Sequence, residues 1–311
     1  MEFAHVPVLS AECMDGLHIR PDGIYVDGTT GGGGHSSLIA RQLSEAGRLI
    51  CIDRDDDALA AARQRLEPLG KNITFVKNNF SRILDVLKDL EIEKIDGILF
   101  DLGVSSYQLD NGERGFSYMA DAPLDMRMDR QQALTAREVV NTYSREDLRR
   151  ILKDYGEERY AGPIAAAICR RREEAPIETT LELADLVRSA MPAAARREKQ
   201  HPAKRTFQAV RIEVNGELEA VASAVRDSVS CLAPGGRIAV ISFHSLEDRI
   251  VKRAFAELAQ GCTCPKSFPV CVCGNKPKIR LISHGVITAS PEELENNPRS
   301  RSAKLRVAEK L

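Results

Sequence analysis

The chain contains no tryptophan, and its aromatic residues amount to only 5% of the sequence. Its cores must therefore be aliphatic, and any flat-ring contact with a ligand rests on few side chains. Net charge is also nearly absent, with 44 Lys and Arg against 45 Asp and Glu. Such a balance gives no global attraction for polyanions, so contact with nucleic acid would require a local patch. No apolar run approaches the roughly 20 residues of a membrane-spanning helix. Residues 1–15 lack a basic stretch followed by an apolar core, so a secretory signal is not expected. Cys13, Cys51, Cys169 and Cys231 are scattered singly, as reduced thiols are. These absences point to a cytoplasmic protein with no membrane partner. What is present is an ordinary globular composition, 43% hydrophobic, in 311 residues. That length suits two domains, or one domain carrying a large insertion.

Strand and helix signals alternate through the first hundred residues. Ile24–Val26, Arg48–Asp53, Ile73–Val76 and Ile95–Asp101 read as strands. Helical stretches separate them at about Ser36–Leu43, Asp55–Leu69 and Ser81–Leu90. This pattern predicts an α/β fold with a parallel sheet covered on both faces. The alternation then stops. Val104–Asp129 reads as loop and Thr135–Met191 as several helices; sheet signal returns at Arg237–Ser242, after a single helix over about Val210–Leu232. A helical domain inserted at 109–209 is expected, flanked by α/β segments 1–108 and 210–311. Lys278–Ile287 and Ala303–Ala308 read as two closing strands.

The chain is organised around Tyr25–Ser37, where a strand ends in Asp27 and four glycines, Gly31–Gly34, lead into a helix. Glycine permits close backbone approach, and a helix start presents free N–H groups. Dinucleotide binding through G-x-G-x-x-G fails here, because Ser36 stands where the third glycine belongs. Asp53, at the end of the second strand, is placed to accept the ribose hydroxyls of an adenosine. Taken alone it reads equally as an N-cap of the next helix. The turn holds no Lys or Arg, which suits S-adenosylmethionine, a ligand without a pyrophosphate. The fourth strand ends in Asp101-Leu102-Gly103, where amino-group methyltransferases place a polar turn facing the methyl donor.

Four further cysteines cluster as C-x-C-x6-C-x-C: Cys262, Cys264, Cys271 and Cys273. Four thiols within twelve residues, among Pro265, Pro269 and Gly274, fit a structural zinc ion. Free thiols and a redox pair remain open alternatives.

Six motifs in order carry a resemblance that runs from His5 to Val307. They are Asp27–His35, Asp101–Ser106, Arg114–Ser117, Pro123–Asp129, His201–Asn215 and Ser242–Lys252. In these the chain resembles the bacterial 16S ribosomal RNA (cytosine 1402-N4)-methyltransferases. The resemblance implies a class I methyltransferase (Rossmann-like) sheet with an inserted helical domain, acting on 16S rRNA of the small ribosomal subunit. It implies a methyl-donor site at Gly33, Gly34, His35, Asp53, Phe80, Asp101 and Gln108. Phe80 suits an adenine face, although core packing explains it too; Gln108 rests on the resemblance alone. His35 reads as a backbone contact, not a base.

The exocyclic N4 of cytosine is a poor nucleophile because its lone pair is delocalised into the ring. Acceptors that hold its hydrogens draw it toward tetrahedral geometry and align it with the donor. Asp101 is the first candidate for that role, and His244 for substrate contact or proton uptake, a structural histidine being the alternative. Phe243, Phe116 and Tyr118 are candidates for stacking on the base. Arg196, Arg197, Lys199, Lys204, Arg205 and Arg211, against the single acid Glu198, form a candidate RNA footprint. Arg170-Arg171-Arg172 reads as a solvated helix face. Two other classes compete: a nicotinamide-dependent dehydrogenase, and a non-catalytic, zinc-stapled RNA-binding module on a methyltransferase-like fold.

Overall fold

A computed structural model describes residues 7–198, 200–265, 268–283 and 285–311. Seven strands form one sheet: β1 (Ile24–Asp27), β2 (Arg48–Asp53), β3 (Ile73–Lys77), β4 (Ile95–Asp101), β5 (Leu232–Ser242), β6 (Ile279–Leu281) and β7 (Lys304–Lys310). Their order is β3-β2-β1-β4-β5-β7-β6. The first five are parallel to one another, and β7 runs antiparallel to both β5 and β6. The helices are α1 (Ser10–Leu17), α2 (Gly34–Gln42), α3 (Asp56–Leu66), α4 (Ile83–Asp89), α5 (Ser106–Asp110), α6 (Ala136–Thr142), α7 (Arg145–Asp154), α8 (Ala161–Glu174), α9 (Thr180–Ala190), α10 (Lys204–Asn215), α11 (Glu217–Cys231), α12 (Ser245–Ala259) and α13 (Pro291–Asn296). No helix among the described residues is long and apolar enough to cross a membrane.

The chain divides into two compact units, Met1–Gly103 with Leu218–Leu311, and Val104–Glu217. In the α/β unit, strand side chains alternate between two cores, as the pleat requires. Ile50, Ile52, Ile98 and Phe100 join α4, α11 and α12 on one face. Leu49, Cys51 and Leu99 join α1, α2 and α3 on the other. Burial on both faces explains why these strands read as continuous apolar runs. The second unit is helical, with a core that includes Val139, Ile151, Ile164, Leu183, Phe207 and Val210.

The structure departs from the sequence reading in four places. Boundaries at 108/109 and 209/210 would cut through α5 and α10, whereas the helical unit closes at 104 and 217. The single helix expected over 210–232 is two, because Gly216 adopts a left-handed conformation (φ 58°) and ends α10. Pro234-Gly235-Gly236 lies inside β5, where the register with β4 shifts between Ile95 and Gly97, rather than forming a turn before it. The first closing strand shortens to β6, and α13 stands before β7.

Candidate active site

In an open α/β sheet, ligands bind outside the carboxyl ends of the strands, where the strand order reverses. Here that point lies between β1 and β4, and acids end the strands there: Asp27 on β1, Asp53 on β2 and Asp101 on β4.

Asp27 is buried and ties β1 to the start of α2. Its Oδ2 accepts from the Ser36 hydroxyl at 2.6 Å and its Oδ1 from the Thr29 N–H at 3.2 Å. Burial nonetheless pushes its pKa up to about 6. Gly33 caps α2 at φ 76°, and a Cβ there would stand 3.2 Å from the Cα of Ala62. Asp53 fixes the glycine turn from below, since its Oδ2 accepts from the Gly31 N–H at 2.8 Å and its Oδ1 from the Asp55 N–H at 3.0 Å. The N-cap of α3 is Asp55, which accepts from the Asp57 N–H. That removes the alternative reading of Asp53 as the cap.

Substituting Gly33 by alanine is therefore expected to weaken binding of the methyl donor at least about tenfold and to lower stability by about 1–2 kcal/mol. Calorimetric titration and a urea melt measure the two effects separately.

Asp101 sits in a strongly perturbed environment. Its backbone N–H donates to the Thr29 hydroxyl at 2.6 Å, which fixes the strand end, while its Oδ1 has no hydrogen-bond partner. Burial first, then the charges of Asp27 and Glu247, push its pKa up to about 8. Its side chain is still 28% exposed, so the carboxyl opens into the crevice. His35 Nε2 stands 3.6 Å from Asp101 Oδ2. Burial holds the His35 pKa down to about 4, so the ring is neutral at physiological pH and does not balance the acid. Neither of its ring nitrogens makes a hydrogen bond of good geometry.

His244 is the N-cap of α12. Its Nδ1 faces the Glu247 N–H at 3.4 Å, and its Nε2 lies 3.1 Å from Glu247 Oε1. Glu247 Oε2 accepts from the N–H groups of Phe243 (2.8 Å) and His244 (3.3 Å). The capping box accounts for Nδ1 and favours the structural alternative, while Nε2 is buried without a hydrogen bond of good geometry. Glu247, buried and unnoticed in the sequence, adds a negative charge beside Asp101. Gly103 adopts φ 97°, a conformation that favours glycine, and Phe243 beside it is partly buried against the core. Phe80 is partly buried against the core, 5.5 Å from the Phe100 ring.

The strand ends thus gather three carboxyls, with buried, unpartnered polar atoms on His35 and Asp101. Such a set fits a ligand bearing positive charge, as the sulfonium and ammonium groups of S-adenosylmethionine do, and repels a pyrophosphate. This argues against the dinucleotide reading.

In the helical unit, Gln108 is buried and closes a capping box on α5, its side-chain oxygen accepting from the Ser105 N–H at 3.0 Å. Phe116 is core, and Tyr118 stacks on His201 at 4.6 Å, so neither is a free stacking platform. The basic run divides. Arg196 donates to the carbonyls of Met191 and Ser189, and Arg205 to that of Glu157. Arg211 pairs with Glu217 through two bonds of 2.9 Å. These three brace the backbone or a neighbouring acid. Arg197 and Lys204 are exposed, and Lys199 lies outside the described residues. In the other cluster, Arg171 and Arg172 donate to the carbonyls of Ala175 and Val140.

The parallel sheet with its antiparallel β7, the glycine turn after β1 and the acid after β2 define a class I, S-adenosylmethionine-dependent methyltransferase. The sequence profile of the MraW methylase family matches residues 2–311, and the chain belongs to that family. Ribosomal RNA small subunit methyltransferase H of Brevibacillus brevis is 56% identical over 311 residues, covering 100% of this chain and 99% of the relative. The protein of the same name from Clostridium botulinum strain Kyoto is also 56% identical, with 100% of both chains covered. A solved rRNA methylase from Streptococcus thermophilus superposes with a TM-score of 0.45 at 13% identity, covering 99% of each chain.

Proposed function

We propose that the protein transfers a methyl group from S-adenosylmethionine to the N4 amine of a cytosine, cytosine 1402, in 16S rRNA of the small ribosomal subunit. The observation that carries this reading is the partly exposed Asp101 carboxyl at the β1–β4 switch point, its Oδ1 without a hydrogen-bond partner, among the acids that end β1 and β2. The relatives named as small-subunit rRNA methyltransferases support the choice of substrate. A ribosomal substrate places the protein in the cytoplasm.

S-adenosylmethionine, when bound, supplies a methyl group already activated by its sulfonium. Gly34 and His35 would hold its amino-acid end through backbone N–H groups at the start of α2, while Gly33, whose own N–H is donated to the Thr30 carbonyl at 2.8 Å, shapes the turn. Asp53 holds the ribose, its two oxygens each retaining lone pairs beyond the Gly31 and Asp55 bonds. Phe80 would lie against the adenine. Asp101 accepts an N4 hydrogen and orients the amine, and Phe243 stacks on the base. Orientation of this kind contributes several kcal/mol, up to about 7–11 in the best-aligned systems. His244 positions Glu247 and the turn before α12; as the methyl–sulfur bond breaks and the methyl–N4 bond forms, S-adenosylhomocysteine would be the leaving group and the N4 proton would pass to the Asp101 carboxylate and on to solvent.

Arg197, Lys199 and Lys204 contact the RNA backbone. Reversing Arg197 and Lys204 to Glu is expected to weaken RNA binding and to reduce its salt dependence by a log–log slope of about 1 per lost phosphate contact. Affinity for S-adenosylmethionine should not change, and equal loss of both would refute the assignment.

The substrate is tested by incubating the protein with methyl-labelled S-adenosylmethionine and small subunits from a strain lacking the modification. Label on 16S rRNA at one cytosine is the expected result. Label on large-subunit RNA or transfer RNA instead would reject the reading, and no transfer at all would favour the non-catalytic RNA-binding module.

A further inference from the structure

The segment joining α12 to β6 poses a folding problem that its side chains do not solve. None of its described residues from 261 to 278 is buried, and Phe268, Val270 and Val272 are exposed. It has no hydrophobic core of its own. Segments in that position are held by a metal or by disulfides. Its base is closed by the polypeptide: Asn275 Nδ2 donates to the carbonyls of Gln260 (3.1 Å) and Gly261 (2.8 Å), and the Lys278 N–H to that of Leu258 (2.8 Å). Its tip is organised around sulfur.

The Sγ atoms of Cys262, Cys264, Cys271 and Cys273 all lie within 4.8 Å of one another. Cys271 and Cys273 are 3.6 Å apart, and Cys262 and Cys273 3.7 Å apart. A disulfide requires about 2.05 Å, so these are not bonded pairs. A tetrahedral ion with metal–sulfur bonds of about 2.3 Å has sulfur–sulfur edges of about 3.8 Å, which both distances approach.

The backbone around them is arranged for anionic sulfur. Cys273 Sγ accepts from the N–H groups of Thr263 (3.3 Å) and Asn275 (3.5 Å). Cys264 Sγ accepts from Val272 and Cys273, each at 3.3 Å, and Cys262 Sγ from Cys264 at 3.4 Å. Five amides aimed at three sulfurs are the outer hydrogen bonds that orient and support metal-bound sulfur ligands.

We propose that Cys262, Cys264, Cys271 and Cys273 bind one Zn²⁺ in a closed tetrahedral site that folds the loop between α12 and β6. Four protein sulfurs leave no position for water, so the ion is structural, and the methyl-transfer chemistry does not pass through it.

The test uses the full chain, purified under reductant with no metal added. Elemental analysis should find one zinc per chain. Replacement of that zinc by Co²⁺ should give the charge-transfer and ligand-field bands of a four-thiolate tetrahedral ion. Cys271→Ser with Cys273→Ser should reduce zinc to near zero. Retained calorimetric binding of S-adenosylmethionine in this variant would show that the α/β unit still folds. Because a variant is open to misfolding, the wild type treated with a chelator forms a second arm. Hydrogen exchange at Thr263, Val272, Cys273 and Asn275 should rise roughly tenfold or more after chelation, with the sheet amides unmoved. Protein free of zinc with four freely reactive thiols, two disulfides in the purified chain, or bound iron in place of zinc would each overturn the proposal.

Discussion

Asp101→Asn is expected to lower the rate of methyl transfer by on the order of 10²–10³-fold, the scale of removing one well-placed electrostatic contact in an active site. It should at the same time raise the thermal stability of the free protein near pH 8. The sign follows from linkage. Burial and the charges of Asp27 and Glu247 raise the pKa of this carboxyl from its ordinary 3.8 to about 8 in the folded chain. Between those values the folded state binds more protons than the unfolded one, so stability falls as pH rises through that window. Asparagine removes the charge and with it the pH-dependent loss. Melting curves should show a gain of a few degrees for the variant at pH 8, shrinking toward none near pH 4. A structural aspartate would give the opposite pairing: unchanged turnover and lower stability on substitution.

The same environment sets a pH dependence for the ligand. A sulfonium beside Asp101 favours its ionised form, so binding of S-adenosylmethionine draws a proton off the carboxyl. Its affinity should climb as pH rises toward 8, whereas S-adenosylhomocysteine, with a neutral sulfur, should show a shallower rise. In Asp101→Asn the difference between the two should vanish. Titrations of both ligands across pH 6–9 measure it.

The largest effect on stability is expected at Arg114, a large side chain that is fully buried. Its guanidinium donates to the carbonyls of Arg127 (2.9 Å) and Met128 (3.0 Å), so it holds a loop that has little secondary structure of its own. Asn215 holds the same loop through the Met128 N–H (2.9 Å) and the Met126 carbonyl (2.8 Å). Arg114→Ala leaves the carbonyls unpaired, opens a cavity and removes a buried charge from its partners. Losses of this kind cost about 3–5 kcal/mol. The loss should be confined to the helical unit. Hydrogen exchange across 104–217 should accelerate while β1, β2 and β4 stay protected, and S-adenosylmethionine should still bind. Uniform acceleration across both units would contradict a local role.

Which features were legible in the sequence follows from how each is encoded. The strands ending in Asp27, Asp53 and Asp101 could be read because an apolar run stopped by an acid is a local pattern. The glycine turn could be read because only glycine tolerates its backbone. The break at Gly216 was missed because apolar periodicity continues across it, although a glycine after Asn215 is itself a helix stop. Glu247 was missed for a related reason. Three residues after His244 is the spacing of a capping box, but histidine is an unusual cap, so His244 reads alone as a candidate for substrate contact or proton uptake. Arg196 and Arg205 illustrate a harder limit. Their partners are backbone carbonyls, which every residue carries, so nothing in the sequence separates a bracing arginine from one offered to RNA. Residues 104–129 formed no readable pattern because their order comes from Arg114 and Asn215, distant in sequence from much of what they hold.

An exocyclic amine, rather than a ring carbon or a ribose hydroxyl, is the group expected against Asp101. The most direct test is the chemical identity of the product. Methylated small-subunit RNA, digested to nucleosides and resolved by mass spectrometry against standards, should yield N4-methylcytidine with wild-type protein and almost none with Asp101→Asn. Accumulation of 5-methylcytidine or 2′-O-methylcytidine, or full N4 methylation by the variant, would contradict it.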